Sequence, residues 1–167
     1  MSKVGCCLIT IFIFFGITSH AVADQITVEK KLLDALTCQH DSPADLIREI
    51  ARTPSAGLMI SNNQQEGYDE KIAIKTKHEL RLYGARSHTV NLAFENTIRN
   101  FNATVYSVFK GNPQKVISAL KLSKDQSEAR IGDYTNHPTG TECPATIGLT
   151  IINKSTFALG CGWCNGD

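Results

Sequence analysis

The chain has 167 residues, with 17 Lys and Arg against 16 Asp and Glu, so its formal net charge is +1 with the histidines neutral. That balance excludes the cationic excess a phosphate backbone demands and gives an anionic membrane surface little to hold by charge. With 42% hydrophobic residues, no long Pro/Gly linker and no internal repeat, the composition is that of one ordinary globular domain, not a disordered or repeat protein.

Lys3, the apolar run from Val4 to Ile17 and the small-x-small triplet Ala21-Val22-Ala23 have the three parts of a cleavable secretory signal. The run is short for a membrane span and ends in Thr18, Ser19 and His20. The expectation is a signal peptide over 1–23 and a single globular domain over 24–167, released without stable membrane anchoring into a periplasm or an extracellular space. Losing Lys3 leaves that domain with equal numbers of basic and acidic residues.

In the 24–167 region, Val28, Leu32, Leu33 and Leu36 have helical spacing and predict a first short helix. Ser42-Pro43-Ala44-Asp45 predicts a helix start, with a capping hydroxyl, proline at the first position and an early acid. That helix covers 43–52, buries Leu46, Ile47 and Ile50, and stops before Pro54. Gly57 to Ser61 suggests a short strand, and Asn62 to Glu70 a polar loop.

From Lys71 the period becomes two: Ile72, Ile74, Thr76, His78, Leu80 and Leu82 share a face opposite Lys71, Lys75, Lys77, Glu79 and Arg81. Gly84 to Ser87 predicts a turn, and Val90, Leu92 and Phe94 mark the second arm of a hairpin. A third strand over Ala103 to Phe109 is apolar enough on both sides that its inward face stays open. Asn112-Pro113 predicts a helix burying Val116, Ile117 and Leu120, and Ser123 to Cys143 reads as a long polar connection. A last hairpin sets Ile147, Leu149 and Ile151 against Phe157, Leu159, Cys161 and Trp163, turning at Asn153-Lys154-Ser155. Blocks of strands with few helices predict an α+β fold: a mainly antiparallel sheet of about five to six strands with two to three helices, stapled by disulfides.

Cys38, Cys143, Cys161 and Cys164 are an even set in an oxidising compartment and predict two disulfides with three possible pairings. In a strand Cys161 and Cys164 face opposite ways, which favours two long-range bridges over a local one. Cys161-Gly162-Trp163-Cys164 has the spacing of a redox motif, but only three residues follow, so no helix stands behind it to lower a thiol pKa. A zinc site drawn from these cysteines and His40 is disfavoured by the same compartment.

His78 and His88 are the other candidate polar site, since hairpin pairing brings them near each other on one face; two facing imidazoles bind metal or exchange protons. A partly buried imidazole making one hydrogen bond is the plainer expectation. Neither G-x-S-x-G, H-E-x-x-H, a P-loop nor G-x-G-x-x-G occurs. The sequence thus assigns no catalytic residue, metal or cofactor.

Lys71, Lys75, Lys77 and Arg81, broken only by Glu79, form a cationic row fitted to an acidic protein partner. Lysines that guard a strand against aggregation account for the same row. The leading function class is a small exported binding or inhibitor-type protein that recognises another protein, neutralising an envelope-acting enzyme or toxin. A hydrolase or metal-dependent enzyme built on histidines and carboxylates, and a structural or accessory envelope protein, are the alternatives.

Overall fold

Leu32 and Leu36, one helical turn apart and fully buried, anchor helix α1 (residues 28–36) in the computed structural model, which describes residues 28–53, 57–67, 69–96, 101–126, 131–136 and 145–165. The helix closes when Cys38 turns left-handed (φ 55°), letting the Gln39 amide reach back to the Asp34 carbonyl at 2.7 Å. Helix α2 (Pro43–Arg52) begins at its proline and buries Leu46, Ile47 and Ile50. Its expected hydroxyl cap is not made. The Ser42 side chain caps nothing, while its carbonyl accepts from Leu46 N and its own amide donates to His40 Nδ1.

Eight strands follow among the described residues: β1 (Leu58–Glu66), β2 (Asp69–Leu82), β3 (Ala85–Asn96), β4 (Phe101–Lys110), β5 (Ser123–Lys124), β6 (Tyr134–Thr135), β7 (Thr146–Asn153) and β8 (Thr156–Asn165). Helix α3 (Pro113–Ala119) lies between β4 and β5, with Asn112 Oδ1 accepting from Gln114 N as its cap. The expected α+β class with a mainly antiparallel sheet holds, but there are more strands than the five to six expected. Two come from the connection after Ser123, where two-residue strands are too short to show any period. The polar stretch from Asn62 is also strand. Its side chains are mostly exposed because β1 is an edge, so its pairing with β2 leaves no apolar signature in the sequence.

The strand order is β1-β2-β3-β4-β8-β7-β6-β5, every neighbouring pair antiparallel. The chain therefore steps inward from one edge to β4, crosses through α3 to the far edge, and steps inward again to β8. The two runs meet along β4 and β8, paired without a shift from Phe101↔Asn165 to Lys110↔Thr156. Gly160 belongs to this seam: a β-carbon there would lie 2.7 Å from Tyr106 Cβ and collide with the Val105 carbonyl.

Helices cover one face of the sheet. Leu36, Ile47 and Val116 pack in one core with Ile74, Val105 and Phe157, and this fixes the inward side of β4 as Val105, Ser107 and Phe109. Phe109 stacks on Phe157 with centroids 5.6 Å apart. Arg48 ties α2 to the sheet, donating to Glu70 at 2.7 Å and lying 5.0 Å over the Phe94 ring. Burial disfavours its charged guanidinium, but Glu70 and Asp45 outweigh that and hold its pKa above the ordinary value.

A disulfide joins Cys38, the left-handed residue after α1, to Cys161 in the middle of β8, with Cα atoms 5.1 Å apart. This long-range bridge excludes a local Cys161–Cys164 pair. Cys143 lies outside the described residues, and of Cys164 only the strand position is described. The expected signal segment, 1–23, also lies outside them, as does His137. No helix among the described residues is long and apolar enough to cross a membrane.

Candidate functional site

The strand pattern that places side chains so regularly in the middle of β2 and β3 breaks towards their turn. Ile72↔Leu92 and Ile74↔Val90 pair in step, and so does Lys75↔Thr89, but the ladder resumes only at Leu80↔Ser87. Residues 76–79 thus stand against His88 alone, in a wide bulge. It is held from inside, with Thr76 Oγ1 donating to the His78 carbonyl at 2.7 Å, and from the edge, with Lys77 N donating to the Gly57 carbonyl.

A second irregularity follows on the other side of β3, between Arg86↔Lys110 and Asn91↔Tyr106. Here the buried Ser107 hydroxyl donates to Ser87 Oγ at 2.7 Å, and Ser87 Oγ accepts from Thr89 N. The polar groups that the bulge turns inward are thereby satisfied.

Beyond the bulges the hairpin closes through Tyr83 and Gly84, both at positive φ (48° and 84°), the primed two-residue turn that suits the twist of paired strands. This sets Leu82 opposite Ala85 and Arg81 opposite Arg86, while Arg86 in turn lies opposite Lys110. Three cations stand side by side on three neighbouring strands, all exposed and all on the face that carries no helix among the described residues. Glu79, brought up by the bulge, pairs with Arg81 at 3.1 Å and Arg86 at 3.4 Å, and lies 3.9 Å from His88 Nε2. Among the described residues Lys110 has no ion pair.

The four cations singled out in β2 are all exposed, yet they do not form one straight row. Lys71 faces Ala93 and Lys75 faces Thr89; Lys77 sits in the bulge, and only Arg81 joins the cluster. His78 is not on the apolar face. Residues 76–79 outnumber their single partner on β3, so alternation fails there and the imidazole is exposed. His88 is also exposed, and its ring meets Glu79 and the Thr76 carbonyl instead of His78. Arg86 and Lys110 were missed by sequence reasoning. Placing the turn one residue earlier, at Tyr83-Gly84, would have found Arg86; nothing local in the sequence ties Lys110 to it.

A second polar region lies at the β5–β6 side, around a cavity of about 380 Å³ lined by Lys124, Asp125, Asp133, Tyr134 and Ile151. Its carboxylates serve the backbone and its neighbours: Asp133 Oδ2 accepts from Ile151 N, and Asp125 Oδ2 from the Thr135 hydroxyl. No group of three or more His, Cys, Asp and Glu side chains placed to hold a metal occurs among the described residues.

The bulged end of the hairpin therefore offers exposed positive charge and guanidinium donors on a rigid sheet, the chemistry that receives carboxylates and other anions. Compared with protein-family models, curated proteins and solved structures, the chain finds no match in any of the three.

Proposed function

We propose that this chain is a small exported protein whose role is to bind another protein, neutralising an enzyme or toxin that acts at the cell envelope. One observation carries the reading: among the described residues helices cover a single face of the sheet, and the opposite face presents both apolar and cationic side chains. Met59, across from Lys75, and Val108, two residues from Lys110, are 57% and 39% exposed on that face. Ile131 packs over Gly162 on the same side. Apolar side chains interspersed with arginine are what a protein interface presents to its partner. The Cys38–Cys161 bridge is compatible with an oxidising location outside the cytoplasm.

The test is affinity capture from a cross-linked envelope or secreted fraction, with the oxidised protein as bait and the reduced, unfolded chain as control. A saturable, stoichiometric protein partner lost on reduction is the expected result, followed by loss of that partner's activity on binding. Capture of nothing beyond the control sinks the reading.

A further inference from the structure

We propose that the Arg81–Arg86–Lys110 row, on the face of the sheet opposite the helices, is the recognition site for an acidic segment of a protein partner. The inference rests on the protein-binding reading above and deepens it by naming the residues and the chemistry.

The row is unusual in where it stands. Like charges directly opposite one another on paired strands destabilise a sheet. Here two such pairs are stacked in succession, Arg81↔Arg86 and Arg86↔Lys110. A guard against edge-to-edge aggregation would be placed on an edge strand. β1 pairs with β2 only as far as Thr76, so Arg81 stands beyond its end, but Arg86 and Lys110 lie on β3 and β4, each flanked by paired strands on both sides, where there is no free edge to guard. Glu79 relieves part of the repulsion by pairing with both arginines, but Lys110 has no ion pair among the described residues. The row is thus left with more positive charge than its own surroundings neutralise.

Its size selects the ligand. Three adjacent strands span only about 10 Å, since neighbours lie about 4.8 Å apart. That is room for a few carboxylates, while nucleic acid and anionic membrane bind through wider cationic surfaces than a chain of net charge +1 supplies. Glu79 also sits within the row, where it would repel a continuous polyanion, whereas separate carboxylates can lie on either side of it. Guanidinium forks take carboxylates in paired hydrogen bonds, and exposed Val108 beside Lys110 gives the segment's apolar atoms a contact.

The experiment titrates a fluorescein-labelled oligoglutamate peptide against the full oxidised protein at low ionic strength and reads anisotropy. Competitors are a short DNA duplex and vesicles containing anionic lipid. Binding that weakens with added salt is expected, with a loss of about tenfold in the triple variant Arg81→Gln, Arg86→Gln, Lys110→Gln. The pair Lys121→Gln, Lys124→Gln, elsewhere on the chain, should leave it unchanged. Equal loss in both variants, absence of peptide binding, or stronger binding of the duplex or vesicles overturns the inference. Recovery of the linked Cys38–Cys161 peptide and an unchanged near-ultraviolet spectrum check the triple variant's fold. Should it fail to fold, Lys110→Gln alone carries the test, and a loss of about twofold supports the inference where no loss overturns it. A natural partner captured equally by the folded triple variant also overturns it while leaving the protein-binding reading standing. Peptide binding through the row without any captured partner supports the site and counts against the broader reading alone.

Discussion

The β2–β3–β4 unit has two ends built on different terms. Where Ile72, Ile74, Leu92 and Val105 line the covered face, alternation is unbroken and burial decides every inward position. Towards the Tyr83–Gly84 turn, β2 carries a bulge, the β3–β4 register shifts, and three cations stand in register. The first end follows each local rule for a stable sheet, and the second breaks two of them together. Violations of local consistency gather where a surface has a task besides folding. The regular end holds the molecule together, and the irregular end is where the proposed partner would meet it.

The regular end should bear the large losses. The Cys38–Cys161 bridge closes most of the described chain onto one loop, with a sequence separation of 123, so Cys38→Ala with Cys161→Ala should cost about 4–5 kcal/mol in the chain-entropy account. Denaturant midpoints of the oxidised proteins give the figure; an unchanged midpoint would mean that the bridge does no more than follow the fold. Peptide mapping without reduction should recover Cys38 linked to Cys161, and a second linkage joining Cys143 to Cys164, the one pairing the remaining two expected partners allow. Next comes Phe109→Ala, which removes a fully buried ring from its stack on Phe157 and should cost about 3–5 kcal/mol. Neither change touches the cationic row, so acidic-peptide binding by the folded fraction should persist.

Much of the regular end was legible in the sequence. α2 begins and ends where Pro43 and the residues before Pro54 place it, and the last hairpin turns beside Lys154 and Ser155 as its periodicity indicates. The inward face of β4 was not, because Val105 and Phe109 on one side and Tyr106 and Val108 on the other are all apolar enough; only the helices packed on the sheet choose between them. The irregular end was hidden for a different reason. Period-two counting runs straight through 76–79 and carries His78 to the wrong face, since a bulge is a property of two strands and appears in neither alone. Arg86 and Lys110 are far apart in chain order, and pairing across β3 and β4 is what brings them together. Of the three cations in the row, Arg81 was thus visible in a cationic strand, and Arg86 and Lys110 joined it only through the register.

Smaller effects test the irregular end. Ser107→Ala deletes the buried hydroxyl that donates to Ser87 Oγ at the shifted register. It should cost about 1–2 kcal/mol, because Ser87 keeps its bond from Thr89 N but loses its inter-strand partner. A cost near zero would show that the shift is held by the core face around it instead.

The smallest change is the most telling in sign. Lys110→Gln removes a cation that lies opposite Arg86 and has no ion pair among the described residues. Most surface substitutions are neutral or slightly destabilising, but relieving an unfavourable cross-strand pair should stabilise the fold by about 0.2–0.5 kcal/mol at low ionic strength. The gain should fade as salt screens the row, since exposed charges interact over about one Debye length. Lys75→Gln is the matched control, because Lys75 lies opposite Thr89 and relieves no repulsion. Parallel denaturation curves at low and high salt decide the matter. If Lys110→Gln weakens the protein as much at either salt concentration, the lysine contributes packing to the sheet, and the contrast between the two ends loses its electrostatic basis. If it strengthens the protein only at low salt, the fold is carrying a charge it would be more stable without, as a surface kept for an outside partner should.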